Sequence, residues 1–147
     1  ILVLESPFIA NREFDVMVQR FGDQVAFIDC TFPVGEGLDD LAQGLERIRG
    51  EAEDAVRSGA GQLVLTDEHQ RPEKVGMPMI LATSAVHSWL TRKGLRTFCS
   101  INVRSAECID PHYFAVLIGS GATTVNPYLS QDSIADRIDR GLLDGSL

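Results

Sequence analysis

From Val25 to Asp67 the chain reads VAFIDCTFPVGEGLDDLAQGLERIRGEAEDAVRSGAGQLVLTD, and this stretch decides the fold class. It opens with a short apolar run, Val25-Ala26-Phe27-Ile28-Asp29, that ends on a carboxylate. Leu38, Leu41, Leu45, Ile48, Ala52 and Val56 then recur at spacings of three and four, which is one apolar face of a helix. Arg57-Ser58-Gly59-Ala60-Gly61 supplies a glycine stop, and a second apolar run follows in Leu63-Val64-Leu65-Thr66-Asp67. The pattern is strand, crossover helix, strand. Two strands joined in this way are parallel, because a hairpin cannot join parallel neighbours and the crossover must be right-handed.

The same grammar continues outward. A polar loop through Pro72 and Gly76 leads to a predicted helix from Met79 to Lys93 that Gly94 closes. Phe98 to Val103 reads as the next strand. Asp110-Pro111 then pairs an N-cap with a proline at the first helical position, opening a short helix, Tyr113 to Ile118, that stops at Gly119. Thr123-Thr124-Val125 is a last short strand, followed by Asn126-Pro127-Tyr128 and a helix through Ile134 and Ile138 that Gly141 terminates. Toward the N-terminus, Glu13 to Arg20 forms a helix with Asn11 as its cap. The reading is a single α/β domain over residues 1–147: a helical lead-in at 1–22, then four successive βα units over 23–147 forming a mostly parallel sheet flanked by helices. This rhythm suits a truncated barrel, half of a closed eightfold one, or an open doubly wound, flavodoxin-like sheet. In the half-barrel version the inward face of the sheet lacks its other half and needs cover from neighbouring polypeptide.

Composition narrows the class of partner. Thirteen Lys and Arg against twenty-one Asp and Glu leave a net charge of −8 on 147 residues, with the basic residues scattered singly. A nucleic-acid footprint needs clustered cations, so nucleic acid is excluded as a partner. No apolar run approaches the roughly 20 residues of a membrane helix, and the N-terminus lacks the basic start and long apolar stretch of a signal peptide. Cys30, Cys99 and Cys108 have no metal or redox spacing and read as reduced thiols of a cytoplasmic protein. The opening Ile1-Leu2-Val3-Leu4 without a methionine, and the ending Gly145-Ser146-Leu147, are the expected look of a piece of something longer.

In parallel α/β folds ligands sit beyond the carboxyl ends of the strands. Here those ends are Asp29-Cys30-Thr31, Thr66-Asp67, Arg104-Ser105 and Asn126-Pro127-Tyr128. Asp29 and Asp67 end successive strands, and side by side they would form a carboxylate pair for Mg²⁺ or acid-base work in a small self-standing enzyme. The competing explanation is that strands end in polar residues because burial stops there. His69, His87 and His112 show no i, i+4 zinc spacing, and no Gly-x-Ser-x-Gly elbow supplies a nucleophile. Gly35-Glu36-Gly37 lies between a strand and a helix, where a pyrophosphate cradle belongs, but it lacks a third glycine and Glu36 repels an anion. Gly119-Ser120-Gly121 has the opposite order and reads as a tight αβ turn.

Longer words of the chain carry a family resemblance. Leu4-Glu5-Ser6-Pro7, Asp29-Cys30-Thr31-Phe32 and Glu36-Gly37-Leu38 resemble the central domain of the glutamate synthase large subunit, specifically its later part. So do Leu63-Val64-Leu65-Thr66-Asp67, Met77-Pro78-Met79-Ile80-Leu81-Ala82, Ala85-Val86-His87 and Gly94-Leu95-Arg96-Thr97. His112-Tyr113-Phe114-Ala115, Gly119-Ser120-Gly121-Ala122 and Val125-Asn126-Pro127-Tyr128-Leu129 complete the series, in order across nearly the whole chain. Three departures stand out: Ser120 where an aromatic is usual, Tyr113 where a second histidine is common, and Glu68-His69 in place of an arginine-containing loop.

The resemblance implies a parent that makes L-glutamate reductively from L-glutamine and 2-oxoglutarate. In that family an amidotransferase domain releases ammonia, which passes through a tunnel to an FMN domain. A 3Fe-4S cluster relays electrons from NAD(P)H, through a small flavoprotein subunit, or from ferredoxin. The central domain connects the two catalytic domains of the polypeptide and helps shape the tunnel. None of the quoted residues corresponds to the family's glutaminase nucleophile, FMN contacts or cluster cysteines, so neither cofactor is expected within this chain and no catalytic role is assigned. The expectation is that Asp29, Thr31, Asp67, Asn126 and Tyr128 cluster at one end of the sheet, as interface or tunnel-side groups facing the other domains.

Overall fold

The computed structural model describes residues 3–35 and 39–144. Its elements run α1 (Asn11–Phe21), β1 (Val25–Asp29), β2 (Thr31–Pro33), α2 (Asp39–Arg57), β3 (Gln62–Thr66), β4 (Lys74–Gly76), α3 (Met79–Arg92), β5 (Ser100–Arg104), α4 (Pro111–Gly119), β6 (Thr124–Asn126) and α5 (Tyr128–Asp139). β1, β3, β5 and β6 form one sheet in that order, every neighbouring pair parallel. Spatial order follows chain order without reversal. A doubly wound sheet needs a reversal, where the helices change faces. The winding is therefore of the barrel kind, and the sheet of the described residues is open.

Alternation along the strands sorts the side chains into two faces. Ile28, Leu63, Leu65, Ile101, Val103 and Val125 occupy one face, each 1% exposed or less. They form the main core with Ile48, Ala52 and Val56 of α2, Ala82, Val86 and Leu90 of α3, and Leu117 of α4. Apart from Leu38, which lies outside the described residues, the periodic positions of the first long helix all pack into or against this core. No helix among the described residues is long and apolar enough to cross a membrane.

The opposite face has different chemistry. Phe27, Val64, Asn102 and Thr124 stand in one cross-strand row. Asn102 Nδ2 donates to Gln62 Oε1 and Leu63 O, each at 3.1 Å, while its Oδ1 accepts from Thr124 Oγ1 at 2.8 Å. Ile9, Phe14 and Met17 pack with Val64, so the lead-in helix α1 covers this face. The expectation of an inward face left to neighbouring polypeptide needs correction here, because the chain covers part of it. Residues 7–9 run along the β6 edge, with Ile9 N donating to Val125 O at 3.1 Å and Val125 N donating to Pro7 O at 2.8 Å. α1 then leads through a 3₁₀ turn, Gly22–Gln24, into β1 at the other edge. It is a strap across the open side of the half-barrel. Phe27 keeps 54% of its surface exposed, so the cover is partial. A cleft of about 280 Å³ remains beside the strap, lined by residues that include Met17, Gln62, Ser100, Asn102 and Thr124.

Other boundaries differ from the sequence reading for local reasons. The polar loop after Asp67 contains β4, whose three residues pair antiparallel with β2 as a second small sheet. Its polar composition hid the ladder. β5 begins at Ser100 rather than Phe98, because Arg96–Phe98 form a 3₁₀ turn. Asn11 is the first residue of α1 and not its cap: Ala10 flanks the helix, and Glu13 Oε2 accepts from Ala10 N at 2.7 Å. The Asp110 cap matches its expectation, accepting from Tyr113 N at 2.8 Å with Pro111 next. Glu36 and Gly37 of the glycine pair lie outside the described residues.

Candidate functional site

The strands end in register: Asp29 opposite Thr66, Thr66 opposite Arg104, Arg104 opposite Asn126. Period-two alternation places these four side chains in one row on the strap face. Asp67 follows one residue later, so alternation turns it out of that row. This single offset separates the two carboxylates expected to act together. Asp29 Oδ1 accepts from Thr31 N at 3.0 Å and Thr31 Oγ1 at 2.7 Å, and its Oδ2 pairs with Lys74 Nζ at 2.5 Å. Burial raises its pKa, but the bonds from Lys74 and Thr31 outweigh burial and hold the carboxyl below its ordinary range. Asp67, 1% exposed, accepts from Ser105 Oγ at 2.6 Å, Ala106 N at 3.1 Å and Tyr128 OH at 3.2 Å. Each carboxylate has its own set of donors.

Between these sets stands Arg104, at the end of β5. Its Nε and Nη2 engage the two oxygens of Glu68, both at 2.8 Å, and its Nη1 donates to Asn126 Oδ1. The guanidinium also lies 4.8 Å from the Phe14 ring and 5.0 Å from the Tyr128 ring. A planar cation between two aromatic faces, forked onto a carboxylate, is a geometry that arginine alone supplies. Glu68 feels burial first, which raises its pKa, and the bond and charge of Arg104 then carry it below the usual range. Burial and the neighbouring Asp67 charge push the Tyr128 hydroxyl upward, which keeps it a donor.

Asn126, 1% exposed, extends the network to the N-terminal segment. Its Nδ2 donates to Ile9 O at 2.9 Å and Asn11 Oδ1 at 3.0 Å. Asn11 reaches α5, with its N donating to Gln131 Oε1 at 2.7 Å and its Nδ2 donating to Asp132 Oδ1 at 2.9 Å. The five expected residues therefore all stand at the carboxyl end of the sheet. Asp29 joins Thr31, Asp67 joins Tyr128, and Asn126 reaches Tyr128 through Arg104. Thr31, Asp67 and Asn126 are at most 1% exposed, so their polar atoms hold this chain's own elements together. Sequence reasoning missed Glu68, Lys74 and Arg104 as partners. Arg104 is separated from Glu68 by 36 positions, and no local pattern links them. The departure noted at Glu68 does have a partner in the chain, and that partner is Arg104.

At the amino end of the sheet His87 is a structural acceptor. Arg96 Nε donates to His87 Nδ1 at 3.0 Å, Nη1 to Cys99 O at 2.7 Å, and Nη2 to Gly121 O at 2.8 Å. Arg96 thus clamps α3, the 3₁₀ turn and the α4–β6 turn. Gly121 has φ +111°, and a Cβ there would stand 2.3 Å from His87 Nδ1. Glycine is required twice over, by the left-handed backbone and by the imidazole.

FMN and an iron–sulfur cluster, the groups that the resemblance implies for the longer protein, find no matching donor set among the described residues. Cys30 and Cys108 are fully buried, and burial pushes each thiol up to about 12, the opposite of what an iron–sulfur ligand needs. Among the described residues no group of His, Cys, Asp or Glu is placed to hold a metal ion. The cations at the strand ends are engaged: Arg104 with Glu68, Lys74 with Asp29, and Arg47 with Asp29 O and Thr31 O at 2.7 and 2.8 Å. This end of the sheet does not fit a flavin phosphate or a cluster.

Comparison with known proteins agrees across the chain. A family model described as the glutamate synthase central domain matches residues 1–146. The NADPH glutamate synthase large chain of Azospirillum brasilense is 56% identical over 142 residues, covering 97% of this chain and 9% of that protein. The corresponding large chain of Bacillus subtilis is 43% identical over 143 residues, covering 96% and 9%. The chloroplastic ferredoxin-dependent glutamate synthase of Spinacia oleracea is 35% identical over 135 residues, covering 90% and 8%. The chain spans less than a tenth of the length of these relatives.

Proposed function

The chain belongs to the glutamate synthase central-domain family, and from that premise we propose that it is the non-catalytic connecting domain of a glutamate synthase large chain. It joins a glutamine amidotransferase domain to an FMN domain of the same polypeptide and helps shape the passage for ammonia between them. The parent reaction is reductive synthesis of L-glutamate from L-glutamine and 2-oxoglutarate. FMN and a 3Fe-4S cluster belong to other parts of that polypeptide, with electrons from NAD(P)H, through a small flavoprotein subunit, or from ferredoxin. The cytoplasm is the proposed location.

One observation carries the reading: the relationship extends over 97% of the chain at 56% identity. The geometry supports it. The polar groups at the carboxyl end bond to one another instead of converging on an open site, as a rigid spacer requires. Asp29 and Tyr128, both partly exposed, are the proposed contact residues there, and Thr31, Asp67 and Asn126 hold their positions. The cleft beside the strap, lined by residues that include Gln62, Ser100, Asn102 and Thr124, carries no charged side chain in its lining.

The test is made in the long chain, by measuring ammonia lost to solution per glutamate formed. Tyr128→Ala should raise that loss while glutamate formation from externally supplied ammonium persists. If Asp29→Asn or Asp67→Asn abolishes reduction even with ammonium supplied and the flavin spectrum intact, the non-catalytic reading fails.

A further inference from the structure

The strap is fastened at its two ends and only loosely between them. At the first end Asn126 Nδ2 donates to Ile9 O and Asn11 Oδ1, Asn11 reaches Gln131 and Asp132, and Ile9 N donates to Val125 O. At the second, Gly61 N donates to Gln24 O at 3.0 Å and β1 pairs with β3. Between these points, residues 12–21 make no hydrogen bond or ion pair to another element among the described residues. Packing alone holds them. Phe14 and Met17 are the buried residues of α1, in a small cluster with Ile9 and Val64 that is separate from the main core. Phe14 also meets the Phe27 ring edge-on at 6.4 Å and the Arg104 guanidinium at 4.8 Å.

The seating of α1 is also incomplete. Met17 and Phe21, about one turn apart, border the cleft of about 280 Å³ together with Gln62, Ser100, Asn102 and Thr124. An 11-residue helix with two buried side chains is marginal by itself, and segments with few buried apolar contacts open at a lower free energy than the domain as a whole. Opening costs little on the other side too, since these four sheet residues carry polar side chains that water can solvate. Gly22, at φ +48° with nothing within 4 Å of where a Cβ would stand, gives the exit from the helix a free joint. We propose that residues 12–22 form a lid, which unwinds between its two fastened ends while the main core stays folded. The open lid admits solvent and small solutes to the polar inner face of the half-barrel at Gln62, Ser100, Asn102 and Thr124. The connecting role is not a premise of this inference.

The experiment uses the molecule's own cysteines as a clock. Val64→Cys in the long chain puts a thiol beneath the lid, at a position 0% exposed, whereas Cys30 and Cys108 belong to the main core and react only when that core opens. With N-ethylmaleimide under native conditions, and mass spectrometry of the separate peptides, position 64 should be labelled at least about tenfold faster than Cys30 and Cys108. In the unaltered long chain, amide hydrogen exchange across residues 15–21 should likewise be at least about tenfold faster than in β3 and β5, after correction for intrinsic rates. The Val125 amide, which donates to Pro7 O at 2.8 Å, should stay as protected as β5. Equal labelling of position 64 and the two core cysteines, exchange of residues 15–21 in step with β5, or early exchange at Val125 would each overturn the proposal. Should the variant fail to fold, all of these thiols react together, and hydrogen exchange of the unaltered chain decides.

Discussion

Arg104→Ala is the perturbation with the widest consequences at the carboxyl end of the sheet. The change removes a two-point ion pair to Glu68, the donor to Asn126 Oδ1, and a cation lying between Phe14 and Tyr128. Hydrogen bonds to charged groups contribute about 1.5–3 kcal/mol each, and orphaning one partner of a fully buried pair costs about 3–5 kcal/mol. Glu68 keeps 33% of its side chain exposed and Arg104 keeps 16%, so water screens part of the loss. The expected destabilisation is about 3 kcal/mol, or roughly 10 °C in Tm for a domain of this size. Urea denaturation of the variant, of Glu68→Gln and of the double variant closes a cycle in which the pair's coupling should be about 1–2 kcal/mol. The reversed pair, Glu68→Arg with Arg104→Glu, should recover part of the stability and leave the aromatic contacts unfilled. The pH dependence has a definite sign. Arg104 holds the folded-state pKa of Glu68 below its unfolded value, so the stabilisation is complete above about pH 5 and is lost as pH falls through the lowered folded pKa. Arg104→Ala should flatten that acid slope. A loss under about 1 kcal/mol, or an acid limb identical to the parent's, would refute the argument that this pair organises the end of the sheet.

Three further outcomes follow from packing and burial. Gly121→Ala should cost more than about 2 kcal/mol in urea denaturation, because φ +111° and the His87 ring both oppose a Cβ, and a neutral result would show that the turn relaxes freely. Phe14→Ala, at a side chain 4% exposed on the strap, should cost about 3–4 kcal/mol, whereas Ile134→Ser on α5 should stay within about 0.5 kcal/mol; equal effects would mean that α1 is not what covers the strap face. Cys30 and Cys108, with thiols pushed up to about 12 by burial, should resist thiol reagents near neutral pH until urea unfolds the chain, so rapid labelling of either in the native protein would contradict their placement.

Much of the architecture is legible in the chain because it rests on local regularities. The periodic leucines and isoleucines from Leu41 to Val56, the apolar runs at Val25 and Leu63, and the Asp110-Pro111 cap each state their own secondary structure within a few residues. The carboxyl-end positions of Asp29, Thr31, Asp67, Asn126 and Tyr128 were readable too, since strand direction decides which end they share. Their partners were not. Lys74 opens a three-residue strand, Lys74-Val75-Gly76, too short to show an alternating pattern, and the pairing of β4 with β2 exists only after the main sheet brings the loop home. Whether Asp29 and Asp67 cooperate depended on a register offset of one residue. That offset follows from which residues face each other across strands, not from the order along one.

By itself the sequence determined that this is an α/β domain with parallel strands and helical crossovers, and that it shares a family with glutamate synthase central domains. Hydrophobic periodicity and turn chemistry act over spans of a few residues, so a linear reading captures them. Only the tertiary structure decided the barrel-type winding, the use of α1 as a strap over the half-barrel's open side, and the joining of both ends of the domain through Arg104, Asn126 and Asn11. Each of these is set by contacts between residues far apart in the chain. Their free energy is realised only when the whole sheet is in place.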